Sequence, residues 1–108
     1  MNKELVMYGR RFACWDQSRA MTFLSEKKIP YRFVDISADP NASARLIEWV
    51  GHLSVPTLVI AQPGEVLPMR DPKPLDRSQR VRGQDRDTMI TEPNNDELES
   101  FLRTHHLL

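Results

Sequence analysis

A chain of 108 residues with 15 Lys and Arg against 15 Asp and Glu has the length of one domain able to bury its own core. Its near-zero net charge argues against a dedicated nucleic-acid binder, which is usually basic. No apolar run approaches bilayer-spanning length, and Met1-Asn2-Lys3-Glu4 runs straight into Leu5-Val6-Met7-Tyr8 without the apolar segment and cleavage site of a secretory leader. The single cysteine, Cys14, excludes an intrachain disulfide and a cysteine-rich metal site. It suits a reducing compartment, so a cytoplasmic location is expected.

Leu5 to Tyr8 is a short apolar run followed by Gly9, which predicts the first strand. Ala20, Phe23 and Leu24 recur at i, i+3, i+4, with Trp15 and Met21 nearby. This spacing predicts a helix over about 15–28, with Lys27 and Lys28 in a last turn whose dipole favours cations. Ile29-Pro30 stops it. Tyr31 to Ile36 reads as the second strand. Asp39-Pro40 supplies an N-cap and a first-turn proline for a second helix carrying Ala42, Leu46, Ile47, Trp49 and Val50. Gly51 ends that helix. Thr57 to Ile60 is an unbroken β-branched and aliphatic run, the third strand, introduced by Ser54-Val55-Pro56.

From Ala61 to about Arg86 the pattern dissolves. Pro63, Pro68, Pro72 and Pro74 lie here, with Arg70, Lys73, Arg77, Arg80, Arg82 and Arg86 interleaved with Asp71, Asp76 and Asp85. Val66-Leu67 reads as a fragment of strand at most. Thr88 to Thr91 is the fourth strand, and Pro93-Asn94-Asn95-Asp96 opens a last helix with Leu98, Phe101 and Leu102 on one face. The class is α/β in the order β-α-β-α-β-β-α, with a long loop before the last strand. Helices between the first three strands favour parallel pairing there. The last two strands need a reversal, so the sheet is mixed and four-stranded, flanked by helices. Residues 1–108 are expected to form one domain in which 61–87 is a flexible insertion, since structureless loops of this length are usually functional or disordered.

Cys14 falls between the first strand and the first helix. Unpaired backbone N–H groups and the helix dipole favour an anion there, and a thiolate is one. Arg10, Arg11 and Arg19 act in the same direction and Asp16 acts against them. Ser54-Val55-Pro56, taken alone, reads as a strand-initiating proline.

Together these features resemble the glutaredoxins. Tyr8-Gly9, Cys14, Arg19-Ala20, Phe23-Leu24, Ile29-Pro30-Tyr31 and Val34-Asp35-Ile36 are similar to the front half of that family. Gly51-His52-Leu53-Ser54-Val55-Pro56-Thr57 resembles its Gly-x-x-Thr-Val-Pro stretch, and Glu92-Pro93 with Asp96-Glu97-Leu98 its closing strand-to-helix turn. The resemblance implies a thioredoxin-like fold with a cis Val55–Pro56 bond. It also implies glutathione as co-substrate, glutathionylated or disulfide-bonded proteins as partners, and Cys14 as the nucleophile. Val55 and Pro56 would pair with the peptide-like backbone of glutathione. Arg10 or Arg11 would attract one carboxylate, and the last helix's start near Asn94 and Asn95 the other.

The chain departs from the family at three places. Cys14-Trp15-Asp16-Gln17 lacks the second cysteine of Cys-x-x-Cys, which leaves a monothiol route. The tyrosine-to-cysteine spacing is one residue longer. Ile90-Thr91 stands in place of the Gly-Gly pair before the last helix. Nothing here matches the Cys-Gly-Phe-Ser of the iron–sulfur members, and no metal is expected. His52, His105 and His106 have no companion ligands at metal spacing and read as surface groups. Trp49 reads as core, and Trp15 stands open between packing and contact with a partner. The Arg-rich loop reads as solvated. Two alternatives stand beside the first reading. One is a non-catalytic module on the same fold whose 61–87 loop binds a protein partner. The other is an arsenate-reductase-like enzyme, for which Ser18-Arg19 lies one place too far from Cys14.

Overall fold

The computed structural model describes residues 2–12, 14–75 and 80–108. The first strand is apolar from Leu5 to Tyr8 and buried there, as suits a strand with both faces covered. β1 (Glu4–Gly9), β2 (Arg32–Asp35), β3 (Thr57–Ala61) and β4 (Met89–Thr91) form one sheet in the order β2-β1-β3-β4, with α1 (Trp15–Glu26), α2 (Pro40–Val50) and α3 (Asn95–Thr104) around it. Alternation along β1 divides the core in two. Leu5 and Met7 pack with Ala20, Phe23 and Leu24 of α1 and Leu98, Phe101 and Leu102 of α3. Val6 and Tyr8 pack on the other face with Ala42, Leu46 and Val50 of α2. The architecture is therefore the mixed, helix-flanked α/β sheet expected.

Strand direction corrects one expectation. β1 and β2 are parallel, but β3 runs antiparallel to β1, with Thr57 opposite Tyr8. β2 ends at Asp35, opposite Gly9, so the chain leaves β2 and enters β3 at the same end of the sheet. An intervening helix makes a parallel neighbour possible; it does not decide the end at which the chain re-enters. Here that end is the one where Cys14 lies.

Helix limits shift for local reasons. α1 ends at Glu26 rather than near residue 28, because Lys28 N–H tightens onto Ser25 O and Ile29 N–H reaches back to Leu24 O. This closing turn needs the left-handed Lys28 (φ 57°) and buries Ile29, so both lysines lie past the helix. α2 begins where the Asp39 carboxylate accepts from Asn41 and Ala42 N–H, and Gly51 closes it at φ 94°. Trp49 packs edge-on against Tyr8 with ring centroids 5.4 Å apart, while Ile47 faces outward, 51% exposed.

The segment after β3 is pinned at several points instead of being free of structure. Val66 lies outside any strand, yet its carbonyl accepts from the buried Tyr8 hydroxyl. Met69 N–H bonds Ile60 O at 2.8 Å and its side chain packs on the core. Arg86, expected to be solvated, is buried and donates to Lys73 O at 2.7 Å and Trp49 O at 2.6 Å. Burial pushes its guanidinium below the usual range; buried charge persists only when hydrogen-bonded. Residues 82–86 run beside β4, with Gly83 N–H on Thr91 O at 2.7 Å and Arg86 N–H on Met89 O at 2.9 Å. Residues 76–79 of the expected insertion, Asp76 and Arg77 among them, lie outside the described residues. His105 is another correction. It is buried rather than at the surface, edge-on to Phe101, with Nε2 2.6 Å from Asp87 O.

Candidate active site

Cys14 is the N-cap residue of α1, with extended backbone (φ −81°, ψ 176°) and no side-chain cap bond. Its carbonyl accepts the first helical bond from Ser18 N–H at 2.9 Å. The thiol is therefore free of the capping role and lies exposed where the N-terminal dipole favours negative charge. Its Sγ donates toward Val55 O at 3.6 Å, across 41 residues of sequence. The antiparallel β3 makes that contact, since it brings Val55 and Pro56 to the end of β1.

The Val55–Pro56 peptide bond is cis. The turn around it is held from three sides. Thr57 Oγ1 donates to Ser54 O at 3.0 Å, Glu92 N–H bonds Pro56 O at 2.7 Å, and Arg10 Nη2 reaches Leu53 O at 3.2 Å. Among the described residues, nothing accepts from Val55 N–H.

Gln17 stands where the second cysteine of Cys-x-x-Cys would. It is buried, and its amide pairs with both backbone polar groups of one residue, Arg10. Arg10 N–H donates to Gln17 Oε1 at 2.8 Å, and Gln17 Nε2 donates to Arg10 O at 2.9 Å. Gly9 permits this approach, because a Cβ there would lie 2.7 Å from Gln17 Oε1. No local pattern in the sequence marks this clasp, which depends on the burial of Gln17 against the loop before α1.

The rim of the site is apolar and cationic. Phe12 is 85% and Trp15 78% exposed, which resolves Trp15 toward exposure. The Arg11 guanidinium lies 5.8 Å from the Phe12 ring centroid. On the other side, Asp16 is enclosed. Arg19 Nη2 donates to Asp16 Oδ1 at 3.0 Å and to Pro93 O at 2.9 Å. Arg82 donates to both Asp16 oxygens, at 2.6 Å on Oδ2, and to Glu92 Oε2 at 2.7 Å. The Arg82 guanidinium above all holds the Asp16 carboxyl below its ordinary range. No local pattern could have paired Arg82 with Asp16, 66 residues apart.

At α3, Asn94 is committed to its own helix. Its side chain accepts from Glu97 N–H at 2.7 Å, and the Glu97 carboxylate accepts from Asn94 N–H at 2.8 Å, a reciprocal capping box. Asn95 begins the helix and is exposed. Asn94→Ala is expected to lower stability by about 1 kcal/mol, read from the urea midpoint at unchanged slope. Among the described residues, no group of three or more His, Cys, Asp or Glu side chains is placed to hold a metal ion.

A glutaredoxin family model matches residues 5–63, more than half the chain and the span from β1 through β3. No curated protein matches. Among solved structures, the chain is similar to the holo form of glutaredoxin C1 from Populus tremula x tremuloides. The identity is 14% and the TM-score 0.47, over 95% of this chain and 77% of that one.

Proposed function

The chain belongs to the glutaredoxin family, and from that premise we propose that it removes glutathione from mixed disulfides through Cys14 alone. Redox chemistry of the glutaredoxin type is what the family supports. The observation that carries the finer reading is the position of Cys14. An exposed thiol at a helix N-terminus lies beside Val55 O, on the residue preceding Pro56. That arrangement combines a nucleophile with a strand-like backbone that can receive an extended peptide.

In this reading the Cys14 thiolate attacks the glutathione sulfur of a protein mixed disulfide. A sulfur–sulfur bond forms between Cys14 and glutathione while the protein thiolate leaves and takes up a proton. A second glutathione thiolate then attacks the same glutathione sulfur, releasing glutathione disulfide and the Cys14 thiolate. Val55 N–H and C=O pair with the glutathione backbone beside Pro56. Arg10 and Arg11 supply cations for one carboxylate. At α3, Asn94 keeps its capping role, so the backbone N–H of Asn95 is the donor assigned to the other. A reducing cytoplasm keeps a lone thiol in this cycle.

The test is incubation with glutathione disulfide followed by intact-mass measurement and then titration with reduced glutathione. One glutathionyl group per chain is expected, released at a rate that rises in proportion to added glutathione. Failure to form the adduct, or release independent of added thiol, contradicts the monothiol route.

A further inference from the structure

Asp16 lies two residues beyond Cys14 in the first turn of α1, where an uncompensated carboxylate would oppose the thiolate. The structure surrounds it with two guanidinium groups, one from its own helix and one from far along the chain. We propose that Arg82, brought in by the segment beside β4, is a positioning residue for Cys14. It neutralises Asp16 and so sustains the reactivity of the thiol. This rests on Cys14 being the nucleophile.

Three observations support the assignment. Arg82 contacts both Asp16 oxygens and also Glu92, so a single group spans α1 and the turn leading to α3. Its backbone is fixed, because Arg82 forms a bridge with Thr91 and the adjoining Gly83 N–H bonds Thr91 O at 2.7 Å. Third, the charges balance: Asp16 and Glu92 carry two negative charges, Arg19 and Arg82 two positive ones. Removing Arg82 leaves this cluster with one net negative charge, and its Asp16 stands in the first turn of α1, two residues from Cys14. Other charged or titratable groups on the surrounding elements are Arg10 and Arg11 before α1, Glu26 at the far end of α1, His52 between α2 and β3, Asp85 and Arg86 in the segment beside β4, and Asp96, Glu97, Glu99 and Arg103 in α3. Among the described residues, Arg19 and Arg82 are the cations that ion-pair with Asp16.

The experiment measures alkylation of Cys14 by iodoacetamide, a neutral reagent, at pH 7 and fixed ionic strength in the full chain. Arg82→Ala is expected to slow it about three-fold, the scale of one nearby charge in high dielectric. The deficit is expected to shrink at 1 M salt. Arg82→Lys retains the charge and most of the rate. The double variant Arg82→Ala with Asp16→Asn returns to the wild-type rate, because the carboxylate that needed compensation is gone. An unchanged rate in Arg82→Ala overturns the proposal. So does a double variant as slow as Arg82→Ala, which would trace the loss to displacement of the segment. If Arg82→Ala does not fold, Asp16→Asn alone decides: it should match or exceed the wild-type rate, and a slower one overturns the proposal. Alkylation needs no glutathione turnover, so this outcome is independent of whether the chain acts on glutathione mixed disulfides.

Discussion

Cys14→Ser is expected to abolish both the glutathione adduct and all reduction of a glutathionylated peptide. A hydroxyl stays protonated at neutral pH and forms no stable bond to the glutathione sulfur, whereas thiolate is the attacking species in exchange. The chain holds one cysteine, so no other residue can replace it. Loss of fold would not account for the result. Cys14 is exposed, and among the described residues its side chain makes one hydrogen bond, to Val55 O. Serine is among the preferred residues at a helix N-cap, and a substitution at such a position shifts stability by only about 0.5 kcal/mol. The measurement pairs intact mass with a coupled reductase assay and a thermal melt. Activity persisting in the serine variant would place the chemistry elsewhere. An adduct on the wild type without turnover would favour the non-catalytic module, with residues 61–87 as its binding segment.

Gln17→Leu is expected to be among the most damaging substitutions near the site. Leucine has comparable size but cannot accept from Arg10 N–H or donate to Arg10 O. It leaves the Arg10 N–H and C=O without their partner in a part-buried setting. An unsatisfied buried group costs about 1–3 kcal/mol, so the pair should cost about 2–4 kcal/mol and lower Tm by about 10–20 °C. Arg10 also reaches Leu53 O, which ties the loop before α1 to the turn before Pro56. Loosening the loop should therefore slow adduct formation as well, beyond the fraction unfolded. Chemical denaturation with adduct kinetics on the folded protein separates the two effects. Gln17→Glu supplies a useful contrast: it still accepts from Arg10 N–H but places an acid against Arg10 O, so an intermediate loss is expected. A Gln17→Leu protein as stable as the wild type would remove the clasp from the account of the site.

The elements near Cys14 were legible because they are written in local pattern. Apolar runs bounded by glycine and proline marked the strands, i, i+3, i+4 spacing marked the helices, and Asp39 and Gly51 marked the ends of α2. Cys14 could be placed at the start of α1 for the same reason, and its juxtaposition with Val55 and Pro56 followed from the resemblance rather than from pattern. The direction of β3 could not be read, since alternation of strand and helix leaves open which end of the sheet the chain re-enters, and pairing of Thr57 with Tyr8 is a long-range event. The segment after β3 misled for a related reason. Prolines and scattered charges carry no periodicity, yet Met69, Arg86 and Gly83 are held by groups on β3, α2 and β4. The sequence by itself therefore determined the order of elements, the single thiol and its place at a helix start, because those depend on neighbours within a few residues. Tertiary structure alone decided that Gln17 clasps Arg10, that Asn94 is consumed by its own helix, and that Arg82 reaches Asp16. Each of these turns on where a side chain's hydrogen-bonding atoms end up once the core has packed.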